Sequence, residues 1–467
     1  MKLATGLATI TALFMHHLVL TAVAAIAHHT TAPNTSLAGL SLPLVAGHEG
    51  PDHTLRRGSD GFLYLRHNPR TEILPHSSSS SSPSSSSAAN VVTTPHPETS
   101  VTPLRLPQSL VVGFGTGSGK QNYLLKVDAS SSLTWLQCKG CDPHAPQRHP
   151  LFDPLASPTS RSVPGTDSFC RPPFWSVLGG ILCAFHVTSP RGMSVEGYLA
   201  ADTLTHDNHE HRNVPFGCAH KSVNFQSEGV FAGVVGVSRA PASLATQLAT
   251  RGLARFSYCL FAGGGDTNRH GFLRFGADVP RGPRYVTTSI LPALDPGESG
   301  FFVGVVGVSL GARRLDGIRP EMFARREDGQ GGCVVDLGAP LTVMVREAYD
   351  VVEEAVWSDL RRHGAERVRR PEYGLCVRAS EAVKGRLQSL SLHFPEEKAV
   401  LVFSPRQLFL MLDDKQQGQI ACLAMVPGRR TVIGAFQQMD TRFVFDLEDS
   451  KLSFASESCI QDTIEVA

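Results

Sequence analysis

Short runs of apolar and β-branched residues, flanked by Gly, Pro and Ser, make up most of the chain and predict short strands rather than helices. Two of these runs end in an acid. Leu124-Leu125-Lys126-Val127 leads into Asp128, and Cys333-Val334-Val335 leads into Asp336. Small residues follow, Ala129-Ser130-Ser131 in the first case and Gly338-Ala339 after Leu337 in the second. Each pattern is a strand entering a tight turn with a carboxylate at its end. Each is answered downstream by an apolar-apolar-Gly triplet, Val234-Val235-Gly236 and Val432-Ile433-Gly434. An acid turn and a triplet, occurring twice, form an internal repeat.

Two stretches break the strand pattern and predict helices. Pro241 to Arg251 opens with a Pro in its first turn. Val345 to about Arg362 carries Glu347, Asp350, Glu353 and Glu354 early and Arg361 and Arg362 late, which complements a helix dipole.

The N-terminal region reads differently. Lys2 and the apolar run to Ala27 predict a signal peptide over residues 1–27, so the protein is expected to be secreted. No second apolar stretch is long enough to cross a membrane. Residues 28–103 are rich in His, Ser, Thr and Pro, with a nearly unbroken Ser run from Ser77 to Ser87, and predict a disordered leader. The sequon Asn34-Thr35-Ser36 lies inside it.

The length of 467 residues allows two domains or one large bilobal unit, and 43 Gly with 31 Pro fit a β-rich chain. A formal net charge of +1 argues against nucleic-acid binding.

Ten cysteines in an exported chain predict five disulfides. Cys138-Lys139-Gly140-Cys141, with His144 and His149 nearby, has zinc-knuckle spacing, but thiols in an oxidising compartment are normally oxidised. Gly307-Val308-Ser309-Leu310-Gly311 matches the nucleophile elbow of serine hydrolases, although Arg313 to Gly317 reads as a turn where the elbow needs a helix. Aspartates use different chemistry. Two carboxylates held close together share one proton, and the charged one takes a proton from water while the protonated one donates to a carbonyl oxygen.

With these pieces together the chain resembles the pepsin-like aspartic proteinases, especially the plant nepenthesin-like group. The matching segments are Leu133 to Cys138, Val214 to His220, Phe256 to Leu260, the turn around Asp336, and Val432 to Ala455. The resemblance implies an all-β bilobal fold with lobes at 108–290 and 291–467, residues 28–103 being a propeptide. It implies Asp128 and Asp336 as the catalytic pair, with Ser131, Trp135, Gly338 and Ser189 in supporting positions. It implies a monomer with no cofactor or metal, taking a polypeptide substrate or protein ligand in the interlobe cleft, and destined for the apoplast or the vacuole. Cys376 with Cys422 and Cys259 with Cys459 are the pairings it implies, and Cys333 has no counterpart.

The departures from the family pattern are specific. The residue after each Asp normally sends a hydroxyl across to the opposite loop, and here it is Ala129 and Leu337. Ser130 replaces a Gly, where its Cβ would crowd the water site or the partner carboxylate. Ser131 keeps a hydroxyl expected to bond Asp128, whereas Ala339 has lost its equivalent, so Asp336 is expected to hold the shared proton. The flap Tyr falls at Ser189, which leaves Trp135 to pack in the core or bond elsewhere. These losses open a second reading, a non-catalytic binder on the same fold, similar to xylanase inhibitors.

Overall fold

The computed structural model describes residues 39–45, 53–57, 59–60, 62–67, 109–115 and 119–465, less 190–191, 207–208, 228, 262–268, 283, 296, 327–329, 371–372, 415–416 and 463. The expected signal peptide, the sequon and the Ser run lie outside the described residues. The fold is all-β, built on a 16-stranded sheet with smaller sheets of six, five and four strands.

The sequence repeat is a structural repeat. The strand Gln121–Asp128 runs parallel to Gly233–Gly236, with Gly236 opposite Asp128, and Gly233–Gly236 runs antiparallel to Trp135–Gln137. In the second half Cys333–Val335 runs parallel to Thr431–Ile433, which is antiparallel to Thr342–Val345. In both halves the Asp strand is thus paired with the triplet strand, and a Thr fixes the end of the triplet. Thr134 Oγ1 accepts from the Gly236 N–H (3.1 Å), and Thr342 Oγ1 accepts from the Gly434 N–H (3.0 Å). Both threonines are buried, so each hydroxyl satisfies a backbone donor that water does not reach.

The long helix is found at Arg346–Arg362, burying Ala348, Tyr349, Val352, Val356 and Leu360. The other is shorter than its pattern, Leu244–Ala249, because Ala242 is taken into a bridge with Leu133. Ser243 caps it by accepting from the Thr246 N–H (3.2 Å).

The leader expectation is corrected. Within 28–103 the chain forms three strands, Gly39–Val45, His53–Arg57 and Leu63–His67. Gly39–Val45 pairs with Arg269–Gly276 over seven residues, from Gly39 opposite Gly276 to Val45 opposite His270. Its other edge meets Ser109–Phe114 at Leu44 and Val45. Among the described residues, this strand alone joins the two parts of the 16-stranded sheet. Leu40 and Leu42 are buried in the main core, and Ser41 donates to Asp278 Oδ2 (2.5 Å). Leu63–His67 runs parallel to Phe409–Asp414, Phe62 and Leu63 join the same core, and Arg57 pairs with Asp440 (2.6 Å). A strand needs only one apolar face and a neighbour's free edge. Leu40 and Leu42, two residues apart, supply that face, but the polar stretches around the strand hide it in a composition average.

Four disulfides form rather than five: Cys138–Cys218, Cys170–Cys183, Cys259–Cys459 and Cys376–Cys422. Cys141 and Cys333 are buried free thiols. Both pairings implied by the resemblance are present. The zinc-knuckle spacing is accounted for, because Cys138 is bonded to Cys218 and no metal-holding group of His, Cys, Asp and Glu occurs among the described residues.

Deleting residues 1–103 should therefore not leave a folded core. Leu40→Asp with Leu42→Asp should cost several kcal/mol, since burial of each Leu is worth about 2–5 kcal/mol in such sites. Thermal unfolding of the truncated and doubly substituted proteins checks this. A cooperative transition at the parent temperature would show that the strand is dispensable.

Candidate active site

One backbone hydrogen bond ties each Asp turn to the end of its triplet. The Val237 N–H donates to the Asp128 carbonyl (3.0 Å), and the Asp336 N–H donates to the Ile433 carbonyl (3.1 Å). Each carboxylate is then gripped by the backbone two residues on. The Ser130 N–H donates to Asp128 Oδ1 (2.8 Å), and the Gly338 N–H donates to Asp336 Oδ1 (2.8 Å).

The two turns meet at Gly338. A Cβ there would lie 2.9 Å from Asp128 Oδ1 and 3.1 Å from Asp336 Oδ1. The two oxygens are therefore no farther apart than those distances combined, and no side chain fits at 338 without displacing one of them. This is the physical reason for the glycine.

Asp336 is the more enclosed acid. Burial pushes its pKa up to about 7, the charge of Asp128 adds to the rise, and the Gly338 N–H, the Ser130 hydroxyl and the Ala129 N–H pull in the other direction. The expected proton holder is thus Asp336, though for a different first reason. Burial dominates, rather than the missing hydroxyls of Leu337 and Ala339.

The supporting residues depart from expectation in several places. The Ser131 hydroxyl donates to the Leu133 carbonyl (2.9 Å) and not to Asp128, which receives the Ser131 backbone N–H instead (3.2 Å). Ser130 supplies the hydroxyl on Asp128, with Oγ 2.7 Å from Oδ1. Sequence reasoning had placed this residue as an obstruction. Its position two residues after an Asp, a spacing at which a Ser reaches back to the carboxylate, was the available signal.

Ala129 and Leu337 are both buried in one hydrophobic cluster. Apolar residues stand in place of the pair of crossed hydroxyls, and the Ser130 hydroxyl and the Ala129 N–H lie near enough to Asp336 to lower its pKa against the effect of burial. Replacing both partners of a hydrogen bond with apolar groups leaves no orphan and is nearly neutral for stability.

Trp135 is fully buried and packs edge-on against Phe225, with ring centroids 4.8 Å apart. Its Nε1 has no partner, a cost of about 1–3 kcal/mol. Phe185 shares its cluster. Ser189 sits at the turn joining Leu182–Thr188 to Ser194–His206, where its N–H donates to the Met193 carbonyl (3.0 Å) and its Oγ accepts from the Met193 N–H (3.3 Å). The turn brings no phenol.

Ser309 lies within the strand Gly307–Leu310, in a hairpin with Arg313–Arg314. Its Oγ is 2.7 Å from His393 Nε2, on the neighbouring strand Leu390–His393. No helix follows the strand, so the nucleophile elbow is absent.

Two facing aspartates on repeated strand–turn units, in an all-β fold, define a pepsin-like aspartic protease architecture. The chain belongs to that family: residues 111–277 match the family described as Xylanase inhibitor N-terminal, and residues 300–456 match Xylanase inhibitor C-terminal. It is 28% identical to Aspartyl protease family protein 2 of Arabidopsis thaliana, over 74% of this chain and 70% of that one. It is 26% identical to aspartic proteinase nepenthesin-2 of Nepenthes gracilis, over 75% and 77%. Among solved structures, basic 7S globulin from soybean superposes with a TM-score of 0.60 at 18% identity, covering 90% of this chain and 97% of that one.

The raised Asp336 has a consequence for stability. An unfolded carboxyl near 3.8 ionises first, so between about pH 4 and 7 the folded state keeps a proton that the unfolded state has lost. Stability falls across that window, by up to about 1.4 kcal/mol per pH unit, and levels off above it. Asp336→Asn removes the titration. The variant should match the parent in melting temperature below pH 4 and exceed it increasingly up to pH 7, and thermal unfolding at pH 3.5, 5.5 and 7.5 reads the difference. A pH-independent difference would show an unshifted carboxyl.

Proposed function

We propose that the chain is a secreted aspartic endopeptidase that hydrolyses peptide bonds with Asp128, Asp336 and a bound water. The observation that carries this reading is the meeting of the two carboxylates at Gly338, with the proton favoured on Asp336. Asp128, ionised, takes a proton from the attacking water. Asp336, protonated, donates toward the carbonyl oxygen as the tetrahedral centre forms. No metal or covalent intermediate enters this sequence. The names of the relatives, aspartic proteinases and proteases, support the class of reaction.

A second reading is a binding protein that keeps the fold and uses the same surface for a protein ligand. Ala129, Leu337, Ala339 and Ser189 favour it, because each stands where a supporting hydroxyl or phenol is absent. The description of the matching family, xylanase inhibitor, points the same way.

Turnover of denatured globin at acid pH, with and without a statine-containing inhibitor, separates the two. The peptidase reading predicts cleavage that the inhibitor stops and that Asp128→Asn and Asp336→Asn each abolish. Because Asp336 must carry its proton, the rate should fall as pH rises through about 7. Equal cleavage by the parent and both variants would reject the assignment of the pair. Absence of cleavage in the parent would favour the binder.

A further inference from the structure

The hydroxyl of Ser130 lies where the chemistry of the pair is done. Its Oγ donates to Asp128 Oδ1 (2.7 Å), the same oxygen that meets Asp336 Oδ1 across Gly338, and its nearness to Asp336 helps hold that carboxyl's pKa down. A hydroxyl offers one donor and two acceptor lone pairs, so it can replace a water that donates one hydrogen bond and accepts another. With Asp336 protonated, its O–H can donate to Ser130 Oγ while the Ser130 O–H donates to Asp128. Those are the bonds that a water poised between the two acids would make.

We propose that the Ser130 hydroxyl is a built-in occupant of the aspartate pair, competing with the lytic water, and that it must rotate away before hydrolysis. The inference rests on the peptidase reading. Rotation about one side-chain bond is all that is required, since Ser130 is exposed and its staggered rotamers aim the hydroxyl elsewhere. The pair itself does not depend on the hydroxyl. Asp128 Oδ1 keeps the Ser130 and Ser131 backbone donors at 2.8 and 3.2 Å, and both remain in a Gly or Ala variant. The residue therefore restrains the reaction without holding the acids in place.

Ser130→Gly removes the hydroxyl and its Cβ, and Ser130→Ala removes the hydroxyl alone, so together they separate competition for the water from simple crowding. Two readouts are needed. The first is kcat and KM on one fluorogenic peptide at pH 4. The second is the dissociation constant of a statine-containing peptide, whose secondary hydroxyl seats between two such carboxylates, measured by calorimetry and independent of turnover. Both variants should raise kcat with little change in KM and should bind the statine peptide more tightly, each by about tenfold or more, the worth of one hydrogen bond to a charged group. A gain confined to Ser130→Gly would overturn the hydroxyl's role in favour of crowding. A fall in kcat, or no change in either readout, would overturn the proposal outright. Tighter statine binding with no turnover in any form would support Ser130 as the occupant and reject the peptidase reading.

Discussion

Two carboxylates that cannot both be charged at close range are the constraint on which this structure turns. Placing a second charge beside the first in a buried site is costly, so one acid must keep a proton well above its normal range. The fold assigns that role by unequal enclosure. Asp336 is buried, whereas Asp128 is partly open and accepts two backbone donors and one hydroxyl. The glycine at 338, the threonines behind the triplets and the apolar pair Ala129 and Leu337 make sense as the scaffold that keeps the two acids close. They fix the backbone so that the side chains need very little freedom.

That scaffold was legible because it is written twice. Strand, acid, small turn and apolar triplet recur in order, and the pairing of Gly236 with Asp128 follows from the repeat. The long helix was equally plain, since its charges complement its dipole from end to end. Hydroxyl destinations were not legible. Whether a Ser two or three residues past an Asp bonds the carboxylate or a nearby carbonyl depends on the turn's torsions. Ser130 took the bond to Asp128 that was expected of Ser131, and the Ser131 hydroxyl went to the Leu133 carbonyl. Cysteine pairing beyond the two implied by resemblance was also hidden, because Cys138 and Cys218 come together only through the parallel pairing of Trp135–Gln137 with the strand His209–Val223.

The larger miss concerned Gly39 to His67. A window averaged over a Ser- and His-rich interval conceals a seven-residue strand, Gly39–Val45, with a Leu at every second position from Leu40 to Leu44. Such a strand contributes through its edges as much as through its side chains, and edges carry no compositional signature. Its neighbours show the need: without it, Arg269–Gly276 and Ser109–Phe114 would each present unpaired backbone groups in the middle of the molecule.

The position of that strand also sets a clock on synthesis. Its partner region lies far along the chain, with Ser41 bonded to Asp278 across 237 residues. At about 5–20 residues per second, the first strand leaves the ribosome on the order of 10–50 s before its partner exists. During that interval the edge that will meet Arg269–Gly276 has no partner, although Ser109–Phe114 emerges earlier to meet the other edge at Leu44 and Val45. The nascent chain therefore has a defined period in which a holdase or a neighbouring nascent strand can capture it. Its folding yield will depend on translation speed through the first lobe.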